Sequence, residues 1–211
     1  MTVLLSGSGT DPLAPGFHRV PPGHLATTVT HLEMTGRPAP RPAPPVAAAL
    51  TPVPSPGTDW YRDLFRHVGA DWLWTSRLAM PQAELTAILG DPDVEIFAVR
   101  QGRRDEGLLE LDFRAERAAE LAFFGLSSTL QGGGAGRWLM NHALDRVFAR
   151  VDRVTVHTCT LDHPAALPFY LRTGFRIVRQ EVEILADPRL NGTLPADAGP
   201  HVPLAVSAAA G

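Results

Sequence analysis

The sequence predicts an α+β domain in which a largely antiparallel sheet is flanked by helices. From Asp59 onward, helix and strand signals alternate at the spacing of such a domain. Three successive strand patterns joined by short connections predict an antiparallel meander. A glycine-rich turn then leads into an amphipathic helix, and 211 residues with 45% apolar content are enough to bury a core.

Proline dominates residues 1–57, which we expect to form an N-terminal arm. Twelve of the 20 prolines lie there. Residues 37–56 cannot form a regular helix or a central strand, because proline lacks a backbone N–H and clashes inside a helix. We expect a linker or an arm that lies on the surface. Within the arm, Leu25–Met34 is rich enough in Thr, Val and Leu for one short strand that pairs with an edge of the main sheet.

The main domain, residues 58–186, is predicted to begin with two helices. Apolar residues recur at helical spacing between a capping Asp59 and a closing Gly69. A second helix starts near Pro81 and ends at Gly90.

The remaining elements follow in order, and residues 187–211 form a tail. The predicted strands are Val94–Arg100, Gly107–Phe113, Ala118–Leu126, Val154–Leu161 and Phe175–Leu185, and the predicted helices are Gly136–Arg150 and Pro164–Arg172.

Composition and charge exclude several functions. All 19 basic residues are arginine, so the chain has no lysine for a Walker A loop or a Schiff base. A net charge of −3 provides no basic surface for nucleic acid. No Cys and His group has zinc-finger spacing, and we expect no metal. No apolar run approaches the ~18 residues that span a bilayer, and the start lacks a secretory pattern, so we predict a cytoplasmic protein without a membrane partner.

Residues 120–142 carry the strongest functional signal. A strand, a glycine-rich loop and a helix start direct unpaired backbone N–H groups to one point, which predicts a phosphate ligand. A Walker loop is excluded because arginine follows Gly136. A dinucleotide fingerprint is excluded because Arg137 stands at its third glycine position and the preceding strands look antiparallel.

The motif Q-x-x-G-x-G, formed by Gln131, Gly134 and Gly136, directly follows a strand and opens a helix. Here the chain resembles the GNAT superfamily of N-acetyltransferases, over roughly residues 59–186 and including YLRTGF at Tyr170–Phe175. Residues 120–142 are similar to the histone-type branch. The resemblance implies a three-layer fold with a mixed, mostly antiparallel central sheet. It also implies acetyl-CoA as the acyl-donor substrate.

The resemblance implies two catalytic residues. An amine with a pKa near ~10 must lose a proton before it attacks a thioester. Glu120 matches the family's base, and apolar Ala122 and Phe124 on the same side of its strand would raise its pKa. Tyr170 matches the family's acid for the departing sulfur. The alternatives are a salt bridge of Glu120 with Arg117 and an amphipathic tyrosine with a buried ring.

The resemblance also implies the contacts to the cofactor. The end of the third meander strand would pair with the pantetheine arm, and the loop and helix start would bind the pyrophosphate. His163 replaces an asparagine that many relatives carry. The expected cofactor-binding residues are Gly125, Leu126, Gln131, Gly132, Gly133, Gly134, Ala135, Gly136, Arg137 and His163.

Two side-chain groups have simpler interpretations. His157, Cys159, Asp162 and His163 suggest a thiolate nucleophile or a metal site, but a lone buried cysteine is usually a small apolar residue. The aromatic residues near the first helix are expected to pack as core and, as the family pattern implies, in part to wall the acceptor site. They are Trp60, Tyr61, Phe65, Trp72 and Trp74.

We therefore predict an acyltransferase that moves an acetyl group from acetyl-CoA to a primary amine by direct transfer in a ternary complex. The acceptor, a small molecule or a protein, stays open, as does a succinyl or longer acyl group. The alternative is a non-catalytic acyl-CoA-binding sensor or partner-binding module. The long arm can wrap a second subunit as easily as its own sheet, so the sequence leaves a homodimer open.

Overall fold

The computed structural model describes residues 12–204 of the chain. The first eleven residues of the predicted arm and the last seven of the predicted tail lie outside that range. The predicted fold class is confirmed: seven strands form a mixed, mostly antiparallel sheet with helices on both faces.

The strands follow one another across the sheet in the order β2-β3-β4-β5-β6-β1-β7. Every neighbouring pair is antiparallel except β5 and β6. The strands are β1 (His24–Thr35), β2 (Ala49–Pro52), β3 (Val94–Gln101), β4 (Arg104–Asp112), β5 (Ala119–Leu126), β6 (Arg153–Cys159) and β7 (Arg176–Ala186).

In the described residues, five α-helices and two short 3₁₀ turns cover the sheet. The helices are α1 (Thr58–Gly69), α2 (Ser76–Ala79), α3 (Gln82–Leu89), α4 (Ala135–Phe148) and α5 (Ala166–Thr173), and the turns are Ala70–Trp72 and Ser128–Leu130. On one face, which we call the α1 face, α1 and α3 bury Phe65 and Leu85 against Leu108 of β4. On the opposite α4 face, Leu139 packs with the next β4 residue, Leu109. Because successive side chains of a strand point to opposite faces of the sheet, β4 contributes residues to both cores.

The predicted helices and strands of the main domain are present within a few residues of their expected ends. Asp59 lies in the first turn of α1, whereas Gly57 holds the capping position, so the expectation that Asp59 caps the helix was wrong. Its carboxylate still lies near the positive helix end. The structure contains two elements that the sequence did not predict, α2 and β2. β2 is a four-residue strand at the edge of the sheet and ends at Pro52, a position where the missing backbone N–H of proline leaves no neighbouring strand without a donor.

The strand of the arm, β1, lies inside the sheet. It runs antiparallel to β6 on one side and to β7 on the other. The expectation that it pairs with an edge of the sheet was wrong. A buried strand and an edge strand share the same alternation, and Leu25, Val29, Leu32 and Met34 are all buried. The local pattern predicts the strand, but its neighbours come from residues more than a hundred positions away.

The proline-rich residues 37–48, which we call the strap, lie across α4 and α5. Arg41 donates to the carbonyl of Arg172 at 2.6 Å, and Asn141 donates to the carbonyl of Arg41 at 2.9 Å. Arg137 donates to the carbonyl of Pro42 at 3.0 Å. The strap therefore lies beside the start of α4. Within residues 12–204, no helix is long and apolar enough to cross a bilayer.

Candidate active site

The two parallel strands β5 and β6 pair at only two positions and then separate. Ala119 pairs with Val154 and Glu120 with Thr155, whereas the rest of β5 pairs with β4 alone. From Leu121 to Leu126, one edge of β5 therefore has no strand partner among residues 12–204. This divergence opens a cleft whose wall offers backbone hydrogen-bonding groups.

Glu120 lies at the point where the two strands separate. Its carboxylate contacts Nδ1 of His157 at 3.4 Å. Arg117, the partner considered from the sequence, instead lies 3.9 Å from Asp152. Glu120 and His157 both project from the α1 face, because Leu121 and Val156 beside them belong to the α4-face core.

The expectation that Glu120 shares a side with Ala122 and Phe124 was wrong. A β-bulge opposite the Glu110–Leu111 step leaves Ala122 without a partner on β4 and reverses the alternation beyond it. As a result Phe123 packs in the α1-face core, and Phe124 packs on the α4 face against Phe169 and Tyr170. Sequence periodicity cannot reveal this reversal, since the extra residue is visible only in the pairing.

A polar strip continues from Glu120 across the next strands. His157 pairs directly with His31 of β1, and their ring centroids are 5.9 Å apart. His31 in turn contacts Glu181 of β7 at 2.6 Å. The hydrogen bond with Glu120 raises the pKa of His157, whereas burial lowers the pKa of His31. His157 is thus the group that responds to the charge on Glu120.

Tyr170 lies on α5 with its ring buried on the α4 face. Its ring packs edge-on against Phe124 of β5 and against Phe175. Burial, reinforced by the charge of Asp162, raises the pKa of the Tyr170 hydroxyl. Within the described part of the chain the hydroxyl has no hydrogen-bond partner. It therefore remains a protonated donor beside the strand that bounds the cleft.

The glycine loop after β5 forms an open backbone turn. Gly132 and Gly134 have φ values of +80° and +82°, which favour glycine strongly. A Cβ on Gly132 or Gly133 would meet nothing within 4 Å, so the backbone there is open to a ligand. Gln131 donates to the carbonyl of Leu126 at 3.2 Å and holds the loop against the end of β5.

The loop continues directly into α4. Gly134 is the N-terminal capping residue, with Ala135 and Gly136 in the first turn and Arg137 next. A Cβ on Gly134 would lie 2.4 Å from Pro44, so the strap packs directly against this residue. The first-turn N–H groups of a 14-residue helix then face the loop.

Beside the glycine loop and the start of α4, four arginines line a second cleft, which lies between α4 and α5. Two come from the strap and two from the helices. They are Arg37, Arg41, Arg137 and Arg172. Only Arg37 has an acidic partner among the described residues, Asp145. The cleft therefore suits a second anionic group close to the glycine loop.

On the α1 face, Trp74 contacts both β5 and the segment that follows β6, the two strands that separate. Leu73, with φ of +54°, turns the chain so that Trp74 lies against Gly125 of β5. The indole N–H donates to Asp162, beyond the end of β6, at 3.1 Å. A Cβ on Gly125 would lie 2.7 Å from the indole and 2.5 Å from Val68. Trp74 and Asp162 thus wall the cleft. The sequence analysis assigned the tryptophan to such a wall, whereas it named Asp162 only in the group that suggested a thiolate or a metal site.

A buried ionic network on the α1 face packs against β5 next to Trp74. Glu110 of β4 is fully buried and accepts from Arg77 at 2.5 Å and from the Tyr61 hydroxyl. Burial lowers the pKa of Arg77, but the Glu110 carboxylate and the Tyr61 side chain together outweigh burial, so the pKa is raised. The guanidinium lies 5.1 Å from the ring centroid of Phe123 on β5.

The remaining sequence candidates have structural partners. His163 accepts from the backbone N–H of Ala165 at 3.0 Å, and its ring packs edge-on against Trp72. Burial raises the pKa of the Cys159 thiol, which disfavours a reactive thiolate. No cluster of three or more His, Cys, Asp or Glu side chains in residues 12–204 is arranged to hold a metal ion.

Comparison with known proteins places this geometry in context. A model of the acetyltransferase (GNAT) family matches residues 59–175, which is more than half of the chain. No curated protein matches the chain. Several solved structures share the fold at low sequence identity.

A GCN5-related N-acetyltransferase from Sphaerobacter thermophilus has a TM-score of 0.54 and 13% identity, with 77% of this chain and 53% of that chain covered. A functionally unknown conserved protein from Staphylococcus epidermidis has a TM-score of 0.52 and 14% identity, with 78% of this chain and 63% of that chain covered. A GCN5-related N-acetyltransferase from Kribbella flavida has a TM-score of 0.50 and 16% identity, with 81% of this chain and 63% of that chain covered. This chain spans less than two thirds of each of the three.

Proposed function

This chain belongs to the GNAT family of acetyltransferases, and we propose that it transfers an acetyl group from acetyl-CoA to a primary amine by direct transfer in a ternary complex. The observation that carries the proposal is the cleft between β5 and β6, with Glu120 at its apex and the glycine loop at its open end. The resemblance of residues 120–142 to the histone-type branch does not identify the acceptor.

The residues around the cleft fit acetyl-CoA in three places. The unpaired edge of β5, at Gly125 and Leu126, provides backbone groups for the amides of the pantetheine arm. Residues 131–137 provide N–H groups and a helix start for the pyrophosphate. The arginine-lined cleft provides positive charge for the remaining phosphate.

Acetyl-CoA supplies the activated acyl group, and the chain supplies proton transfer and position. Glu120 accepts the proton of the acceptor amine, and its hydrogen bond with His157 fixes the carboxylate orientation. Tyr170 donates its hydroxyl proton to the departing sulfur, and its raised pKa keeps that proton in place until then. Trp74 and Asp162 wall the side from which the amine enters.

Calorimetric titration with CoA and with dephospho-CoA, followed by a thiol-release assay on a panel of amines, tests the proposal. We expect CoA to bind in the micromolar range and dephospho-CoA to bind more weakly, because it lacks the phosphate that the arginines would hold. Release of thiol on one class of amine establishes the activity. Absence of CoA binding would contradict the proposal, and binding without release on any amine or protein acceptor would favour a sensor.

Replacing Tyr170 by phenylalanine isolates the proposed acid. We expect kcat to fall on the order of 10²-fold, because the sulfur loses its proton donor. CoA affinity and thermal stability should remain close to wild type, since the buried hydroxyl has no partner among the described residues and the ring packing is retained. Steady-state kinetics with calorimetric CoA titration measures both quantities. An unchanged kcat would remove this role from Tyr170.

A further inference from the structure

The outer edge of β7 is long, mixes charged with apolar side chains, and has no strand partner in the part of the chain that the structure describes. β7 is the last strand of the sheet and pairs, among the strands of residues 12–204, with β1 alone. It has 11 residues without proline, and Ile177, Val178, Val182 and Ile184 are 48–56% exposed. The opposite edge, β2, has four residues and ends at Pro52. Soluble proteins usually shorten such edges or protect them with charges and bulges. β2 is short, whereas β7 is long and carries four charged side chains and an irregularity at Val178.

We propose that β7 is a dimer interface, at which a second copy of this chain adds its own β7 antiparallel to the first. A two-fold axis between antiparallel edge strands must be perpendicular to the sheet. Each such dimer is therefore centred on one residue that lies opposite its own copy. The charges along β7 decide which residue that is.

The sequence of β7 is self-complementary about Gln180. Centring the axis there places Arg179 of each protomer opposite Glu181 of its partner, within the regular part of the strand that begins after Val178. Moving the axis by one residue in either direction places two arginines or two glutamates opposite each other at the centre. In one protomer, Arg179 and Glu181 lie 3.2 Å apart and Glu181 also contacts His31. Both side chains are still more than half exposed, at 53% and 55%, so a partner strand can reach them.

The interface leaves the catalytic cleft open. Two strands, β6 and β1, separate β7 from the divergence beside β5. The apolar side chains of β7 provide buried area, and the free backbone groups of its edge provide hydrogen bonds. The dimer then contains a continuous sheet that passes through both protomers.

Charge reversal on the full-length chain tests the proposal by analytical ultracentrifugation. We expect the wild type to be a dimer. Arg179→Glu and Glu181→Arg should each raise the dimer dissociation constant about tenfold or more, since like charges then lie opposite each other twice. The double variant R179E/E181R restores opposite charges and should return to wild-type affinity. Arg66→Glu, which reverses an exposed arginine of α1 paired with Asp63, is the matched control and should remain dimeric.

Three results would overturn the interface. They are a monomeric wild type at all concentrations, dimers that neither single reversal weakens, and a double variant that stays as monomeric as the singles. Circular dichroism of each variant separates loss of association from loss of fold. Because the assay reads association alone, its outcome is independent of whether the chain transfers an acetyl group.

Discussion

Replacing Glu120 by glutamine should lower kcat/KM by about 10²- to 10⁴-fold at neutral pH, the range lost when a general base is removed. Glutamine keeps the size and polarity of the side chain but cannot accept the proton of the amine. Glu116→Gln, which neutralises an exposed glutamate just before β5, is the matched control and should retain wild-type turnover. Normal turnover of E120Q would remove the base role while leaving the fold unchanged.

The same variant has a spectroscopic consequence. Because the hydrogen bond with Glu120 raises the pKa of His157, E120Q should shift the titration of His157 to lower pH. Proton NMR of the imidazole Cε1–H over a pH series measures this shift, with exposed His18 as an internal reference. A His157 pKa that does not move would mean that the two side chains are not coupled in solution.

Replacing Arg77 by methionine should destabilise the fold by about 3–5 kcal/mol, the largest stability effect we expect. The substitution leaves the Glu110 carboxylate buried with only the Tyr61 hydroxyl as a partner. An uncompensated buried charge costs far more than an exposed pair. The free energy of unfolding in urea measures the loss.

Two further variants establish the cause. The double variant R77M/E110L removes both charges and should recover much of the stability, because an apolar pair of similar volume avoids the desolvation cost. Arg66→Ala, which breaks the exposed contact with Asp63, should change stability by no more than ~1 kcal/mol. A double variant as unstable as R77M would show that the loss comes from packing rather than from the unpaired charge.

The features that the sequence predicted are local. Amphipathic spacing predicts α1 and α4, strand alternation predicts β3 to β5, and the run of glycines predicts a turn, in which Gly132 and Gly134 have positive φ. Each depends on a few neighbouring residues, so the pattern alone is sufficient. The assignment of Glu120, Tyr170 and the loop to acetyl transfer rests on the family motif and stays a prediction.

Tertiary structure decided the features that depend on pairing between distant segments. The bulge at Ala122 reverses which phenylalanine shares a face with Glu120, and no property of Ala122 itself signals the bulge. The contacts of Glu120 with His157 and of Trp74 with Asp162 join residues 37 and 88 positions apart.

The sequence by itself determined most of the helices and strands, the glycine-rich turn before α4 and the absence of lysine chemistry, because each depends on residue type and short-range spacing. Only the tertiary structure placed β1 between β6 and β7, laid the strap along α4 and left one edge of β7 without a strand partner among residues 12–204. These placements are decided by which surfaces bury each other across the whole chain. The alternation within a strand does not indicate which strands will pair with it, because the pairing is decided by burial and hydrogen bonding in the folded protein.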